Sequence, residues 1–180
     1  MIPVGYLAKS SCRKPKAFEL ANVDEVYSVG SCVNDDFAEY IDHWKHNGYW
    51  LFDSPDVIRA VAQENSIDLR RSKLFYYEAH ELEFTEGGWR SFAPEPGFVT
   101  NIVPPSRPKL EGFDVVTFCA GNAPECSPLS CNRLADGIHT NSHCLFDSFE
   151  EAETSLNSGK FTGCEPGPYR IFAVYSVDWP

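Results

Sequence analysis

The tetrapeptide LFDS occurs twice, at residues 51–54 within YWLFDSPDVIRAV and at residues 145–148 within HCLFDSFEEAETSL. Leu-Phe closes a short apolar run in both places, and the serine precedes a stretch with helical character. Serine is a favoured N-cap residue, Pro55 suits the first helical turn, and the glutamate three residues after Ser148 completes a capping box. The repeated tetrapeptide therefore predicts one joint used twice, in which a short extended segment leads directly into a capped helix.

The similarity between the two copies extends beyond the tetrapeptide when the chain is shifted along itself by the same 94 residues. Identical residues then meet at three further positions, which are Cys32 with Cys126, Asp42 with Asp136 and Asn47 with Asn141. Internal similarity at a fixed separation indicates duplication, although any chain of mixed helices and strands produces some alternation of this kind.

The order of predicted elements also repeats. In the first half, apolar periodicity and capping signals predict a strand, a helix, a short extended run, a second helix, and a long strand that turns into a hairpin. These elements fall at residues 25–29, 34–47, 49–52, 54–62 and 73–92. The corresponding elements of the second half fall at 113–118, 127–138, 144–146, 148–158 and 169–179.

The predicted fold class is α+β, with an internal duplication of this strand-helix-short strand-helix-strand unit forming one compact domain. We expect residues 1–92 to form the first repeat half and residues 113–180 the second. Residues 93–112 between them form a proline-rich connector. Its prolines favour extended backbone and do not suit a central strand.

Composition and charge restrict the class of partner. The 180 residues include 15 Lys and Arg against 26 Asp and Glu, a formal net charge of −11. Such a field repels nucleic acid and anionic membranes and attracts basic proteins. Because the sequence shows neither an export signal nor an apolar run of the roughly 18 residues that span a bilayer, we expect a cytoplasmic protein. Seven cysteines, an odd number, favour reduced thiols.

One cluster has the composition of a metal site. Cys126, Cys131, His139 and His143 provide sulfur and imidazole groups within a short stretch, as a zinc site requires. Zinc fingers usually place about a dozen residues between the two ligand pairs, more than separate Cys131 from His139 here. Cys126 also precedes a predicted helix start, where the helix dipole can lower a thiol pKa, so a thiol or metal hydrolase is a related hypothesis.

The internal alignment favours a structural role for part of this cluster. The 94-residue shift places Cys131 opposite Phe37 and Cys144 opposite Trp50, and both partners are large aromatic residues. Unoxidised cysteine is among the most buried side chains and behaves as a small apolar residue. The alignment therefore predicts that Cys131 and Cys144 are core residues.

A stripe of polar residues marks the first predicted helix. Asp35, Glu39, Asp42 and His46 recur at helical spacing, opposite the apolar side of that helix. Most such stripes are simply solvated helix faces. The functional hypothesis is an acidic docking surface for a basic partner, which the net charge favours.

Taken together, these patterns favour a non-catalytic acidic cytosolic protein that docks on a basic protein partner, without a cofactor. In size and charge the chain is similar to the immunity proteins of bacterial toxins, a comparison of class and not of sequence. The alternative function is a zinc-binding metalloprotein or a small thiol or metal hydrolase that uses the cluster from Cys126 to His143.

Overall fold

The computed structural model of this protein describes residues 1–10, 20–30, 48–92, 101–118 and 125–180. Over these ranges the fold is α+β, as the sequence predicts, with a six-stranded antiparallel sheet and three α-helices. The strands are β1 (Ile2–Ser10), β2 (Ser72–Ala79), β3 (Leu82–Thr85), β4 (Gly88–Ser91), β5 (Lys109–Thr117) and β6 (Tyr169–Val177). The helices are α1 (Pro55–Glu64), α2 (Pro128–Cys131) and α3 (Phe149–Asn157).

Strand β6 lies at the centre of the sheet. It pairs antiparallel with β2 and with β5, and β1 extends the sheet beyond β2. β3 pairs with β6 through Phe84 and Tyr169, and β4 pairs with β3 in a tight hairpin. The first six residues of β6 are buried, as expected for a strand covered on both faces. The strand predicted at residues 169–179 is confirmed as Tyr169–Val177.

Both LFDS joints form as the sequence predicts. Phe52 makes a two-way backbone bridge with Tyr6 of β1, with N–O distances of 2.7 and 3.0 Å. In the second joint, Phe146 bridges Phe113 of β5 in the same way, at 2.9 Å in both directions. Each short extended run therefore attaches to one strand by a pair of hydrogen bonds before the helix begins.

The serine of each joint caps the helix that follows. Ser54 Oγ accepts the backbone N–H of Val57 at 3.3 Å, and Ser148 Oγ accepts that of Glu151 at 3.2 Å. Both serines have extended backbone angles, which is the usual N-cap geometry. These caps satisfy backbone donors that the first helical turn leaves unpaired.

The described parts of the two halves follow the same order of elements. β1, the first joint, α1 and β2 correspond to β5, the second joint, α3 and β6, and within each set the two strands pair antiparallel. β1 has an irregularity between Pro3 and Gly5, and β5 has one between Leu110 and Gly112. Duplication stays a prediction, because β1 lies 107 residues before β5 (109 − 2) and not the 94 residues that separate the two joints.

Gly112 is where the second joint crosses β5. A Cβ atom at this position would lie 2.6 Å from the backbone oxygen of Phe146 and 2.8 Å from Cβ of Leu145. Its φ of +143° is also one that residues with side chains rarely adopt. Glycine is therefore required for the joint to approach the strand this closely.

Two predicted elements differ from the structure, and one strand of the structure was not predicted. Residues 25–29 do not form a strand, because the N–H groups of Glu25 and Tyr27 bond to carbonyls of the 142–143 turn instead of a neighbouring strand. The first strand is β1, which the periodicity analysis missed. The helix predicted over 127–138 ends at Cys131, since Arg133 has a left-handed φ of +57° before a short 3-10 turn at Leu134–Asp136.

Two further boundaries shift. The long strand predicted from Lys73 to Phe84 is divided into β2 and β3, with an interruption at His80 and Glu81. The hairpin predicted after it is confirmed, with Thr85 paired to Gly88. β5 begins at Lys109, so the end of the predicted connector is already strand.

Candidate docking site

A groove of about 330 Å³ lies beside helix α3 and combines apolar and acidic walls. Ile138 and Phe146 provide the apolar surface, whereas Glu150, Glu151 and His139 provide polar groups. Thr154, Ser155 and Lys160 complete the lining, and we call these eight residues the acidic groove. A pocket with an apolar floor and a carboxylate rim suits a long basic side chain, whose methylene stem can bury while its charged end meets a carboxylate.

The two glutamates in the first turn of α3 have different hydrogen bonds. The Glu151 carboxylate accepts the backbone N–H of Asp147 at 3.1 Å, so part of its hydrogen-bonding capacity serves the helix terminus. Glu150 is exposed in the first turn and forms no ion pair within the described part of the chain. Glu150 is therefore the carboxylate of the acidic groove most available to a partner.

Basic side chains on the rest of the described surface are mostly neutralised within the chain. Ion pairs with N–O distances between 2.5 and 3.2 Å join Arg59 to Asp56, Arg70 to Asp68, Lys73 to Glu25, Lys109 to Glu111, and Arg133 to Asp136. Exposed pairs of this kind add about 0–1 kcal/mol each to stability. Their main consequence here is that the acidic excess is left at positions such as Glu150.

From the sequence, the acidic residues Glu150 and Glu151 are explained by the helix N-terminus that they follow, where negative charge is favourable. The sequence also shows that Asp147, Glu150 and Glu151 are close neighbours at the start of this helix, so the acidic character of the site was visible. The apolar floor had no such signal. Ile138 and Phe146 lie in the turn and the short extended run that precede α3, and the bridge between Phe146 and Phe113 of β5 holds that run in place beside the helix.

The structure separates the four predicted metal ligands. Cys126 and Cys131 form a disulfide with a Cα–Cα distance of 6.4 Å, so the expectation of reduced thiols is wrong for this pair. His139 Nε2 lies 3.0 Å from Asp147 Oδ2, beside the acidic groove. His143 stacks on Tyr27, with ring centroids 4.0 Å apart. Among the residues that the structure describes, no group of three or more His, Cys, Asp or Glu side chains could hold a metal ion.

The two cysteines predicted to be core residues differ. Cys144 is 2% exposed, which confirms the prediction, and burial raises the pKa of its thiol well above the usual value. Cys131 is only half-buried and lies at the end of α2 in the disulfide, so the prediction of a core thiol is wrong there. The alignment with Phe37 misled because the predicted helix stops one turn after it begins.

The docking residues predicted on the first helix, Asp35, Glu39, Asp42 and His46, lie outside the residues that the structure describes. They remain a prediction.

A buried carboxylate, Asp114, joins three segments on the far side of β5. It is fully buried, and it accepts hydrogen bonds from Ser28 Oγ at 2.7 Å, Val29 N–H at 3.0 Å and Ser127 Oγ at 2.6 Å. Burial raises the pKa of Asp114, opposed by these hydrogen bonds and by the charge of Lys9. Asp114 thereby fixes residues 28–29 and the start of α2 against the sheet, which is a structural role.

No protein-family model, curated protein or solved structure matches this chain. Helices long and apolar enough to cross a membrane are also missing from the described ranges.

Proposed function

We propose that this protein is a non-catalytic acidic binding protein and that it docks on a basic protein partner through the acidic groove. The observation that supports this proposal is Glu150, an exposed carboxylate without an ion pair in the described chain, beside the apolar surface of Ile138 and Phe146. An arginine or lysine of the partner would place its stem on the apolar floor and its charged end at Glu150.

The net charge of −11 should increase the rate at which the protein associates with a basic partner. A field of one sign accelerates the encounter with a partner of opposite sign and orients it, and added salt weakens the effect. This behaviour is typical of small acidic inhibitors of basic proteins, of which immunity proteins are the class we consider most similar. The stripe of Asp35, Glu39 and Asp42 is a second proposed contact region.

The test begins with capture of partners on the immobilised full chain at low and at high salt, followed by purification of the basic protein recovered. Glu150→Gln should weaken its binding by about threefold to tenfold, the effect of removing one partly desolvated charge pair. Binding should also fall with salt. Isothermal titration calorimetry measures both dissociation constants.

The matched control is Glu64→Gln, which removes the same charge from an exposed position at the end of α1, outside the acidic groove. We expect a change below about twofold, since long-range charge effects are screened. Equal weakening by both substitutions would show that only net charge matters and that the acidic groove is not the contact. Neutralising Asp35, Glu39 and Asp42 together tests the second region in the same assay.

A further inference from the structure

A second groove, of about 780 Å³, lies between the β3–β4 hairpin and the loop of residues 159–168. Phe84, Phe161 and Tyr169 are among the residues that line it, and we call it the aromatic groove. The rings of Phe161 and Tyr169 are 5.4 Å apart and tilted toward each other, as aromatic pairs prefer. The volume lies within the range of about 300–1,000 Å³ that is typical of small-molecule sites.

Arg90 of β4 provides a positive charge at this groove. Its side chain is 64% exposed, and its Nε donates a hydrogen bond to Glu83 Oε1 at 2.6 Å. That bond orients the guanidinium, since within the described residues it is the one hydrogen bond of this side chain. Its two Nη groups form no hydrogen bond within the described residues, so they are available to a ligand.

Glu83 does not neutralise Arg90, because it is shared. Its other oxygen, Oε2, accepts a hydrogen bond from Arg170 Nη2 at 2.6 Å, and both side chains of this second pair are at most 5% exposed. Burial lowers the pKa of Arg170 to about 10, opposed by the charge of Glu83, so Arg170 remains cationic at neutral pH. Two guanidinium groups thus share one carboxylate, and the cluster has a net positive charge.

The position of Arg170 is fixed by packing. Its guanidinium lies between two aromatic rings, 3.2 Å from the centroid of Phe92 and 3.8 Å from that of Phe118. Its Nε and Nη1 find no hydrogen-bond partner in the described part of the chain, so Glu83 is its one polar contact there. Glu83 is therefore held by Arg170 and cannot turn both oxygens to Arg90.

We propose that the aromatic groove binds an aromatic carboxylate, with its ring against Phe84, Phe161 and Tyr169 and its carboxylate at Arg90. Arginine forms strong charge-assisted hydrogen bonds with carboxylates, and ring-to-ring contacts stabilise the apolar part. A monoanion matches the single excess positive charge of the cluster. Glu86 also lines the groove, about 10 Å along the hairpin from the Glu83–Arg90 pair. Its carboxylate disfavours a second negative charge on the part of the ligand that lies near Glu86.

The probe is 3-phenylpropionate, and its uncharged amide is the matched ligand control. Titration followed by NMR or calorimetry should show saturable binding of the acid, at least about tenfold tighter than the amide, because only the acid pairs with Arg90. Arg90→Gln should weaken acid binding by about tenfold and leave amide binding unchanged. Arg71→Gln, at an exposed arginine outside the groove, should have no effect.

Cys164 gives a second readout, since it lines the aromatic groove and is half-buried with a free thiol. Bound 3-phenylpropionate should slow alkylation of Cys164, measured by peptide mass mapping, and should slow it much less in Arg90→Gln. Melting curves check that the variant is folded, as expected for a largely exposed side chain. Equal binding of acid and amide, insensitivity to Arg90→Gln, or alkylation of Cys164 unaffected by the ligand would each overturn the proposal.

Discussion

At the scale of single residues, Asp114 makes stability depend on pH in an unusual direction for an acid. Its folded-state pKa is raised by burial, so its contribution to stability is fully present below the unfolded value of 3.8 and is lost as pH rises through the folded pKa. Asp114→Asn should destabilise the protein, because an amide NH₂ replaces one of the two oxygens that accept hydrogen bonds from Ser28, Val29 and Ser127. This cost should shrink as pH rises above 3.8 and through the folded-state pKa of Asp114.

Chemical denaturation of both proteins at several pH values measures the difference, with about 1.4 kcal/mol expected for each unit by which the pKa is raised. The control is Asp136→Asn. The hydrogen bond from Arg133 lowers the pKa of Asp136. The contribution of Asp136 to stability is therefore present above pH 3.8 and is lost as the pH falls through the folded-state pKa. A destabilisation by Asp114→Asn that grows with rising pH would contradict the raised pKa.

Gly112 tests how closely the second joint approaches β5. Gly112→Ala should lower the free energy of unfolding by about 2–4 kcal/mol, because the added Cβ overlaps the Phe146 carbonyl and the backbone angle becomes strained. Gly137→Ala is the control, since a Cβ atom added there would lie 3.7 Å from the Leu134 carbonyl oxygen and the φ of Gly137 is −113°. Denaturation midpoints compare the two, and similar losses would mean that the close approach is not the cause.

At the scale of elements, sequence reasoning succeeded where the determinant was local. The caps at Ser54 and Ser148, the hairpin after Phe84 and the short extended runs each depend on residues a few positions apart. The helix predicted from Ser127 failed because a left-handed residue follows Asn132, and no capping signal distinguishes one turn from three.

The candidate sites could not be predicted in the same way, because they depend on distant pairings. Arg170 and Glu83 are separated by 87 residues, and Ser28 and Asp114 by 86. Only the sheet register brings such residues together, and register is not written in local periodicity. The acidic composition was visible in the sequence, but the position of Ile138 and Phe146 beside Glu150 was not.

At the scale of the whole molecule, the charge of −11 should oppose folding through self-repulsion. The exposed ion pairs that salt also screens contribute little each. We therefore expect the melting temperature to rise by roughly 2–5 °C between about 20 mM and about 500 mM NaCl, a shift that corresponds to about 1 kcal/mol or less for a chain of this size.

A variant in which Glu64, Glu81 and Glu86 are changed to glutamine provides the comparison, since all three carboxylates are exposed and none lies in the first turn of a helix. With less self-repulsion, the variant should melt higher than the natural chain at low salt, and the two should converge at high salt because screening removes the same term in both. Scanning calorimetry at both salt concentrations measures this convergence. A melting temperature that falls with salt would instead mean that attractive pairs such as Arg133–Asp136 outweigh the repulsion, and the docking proposal would then lose the long-range field on which its fast encounter depends.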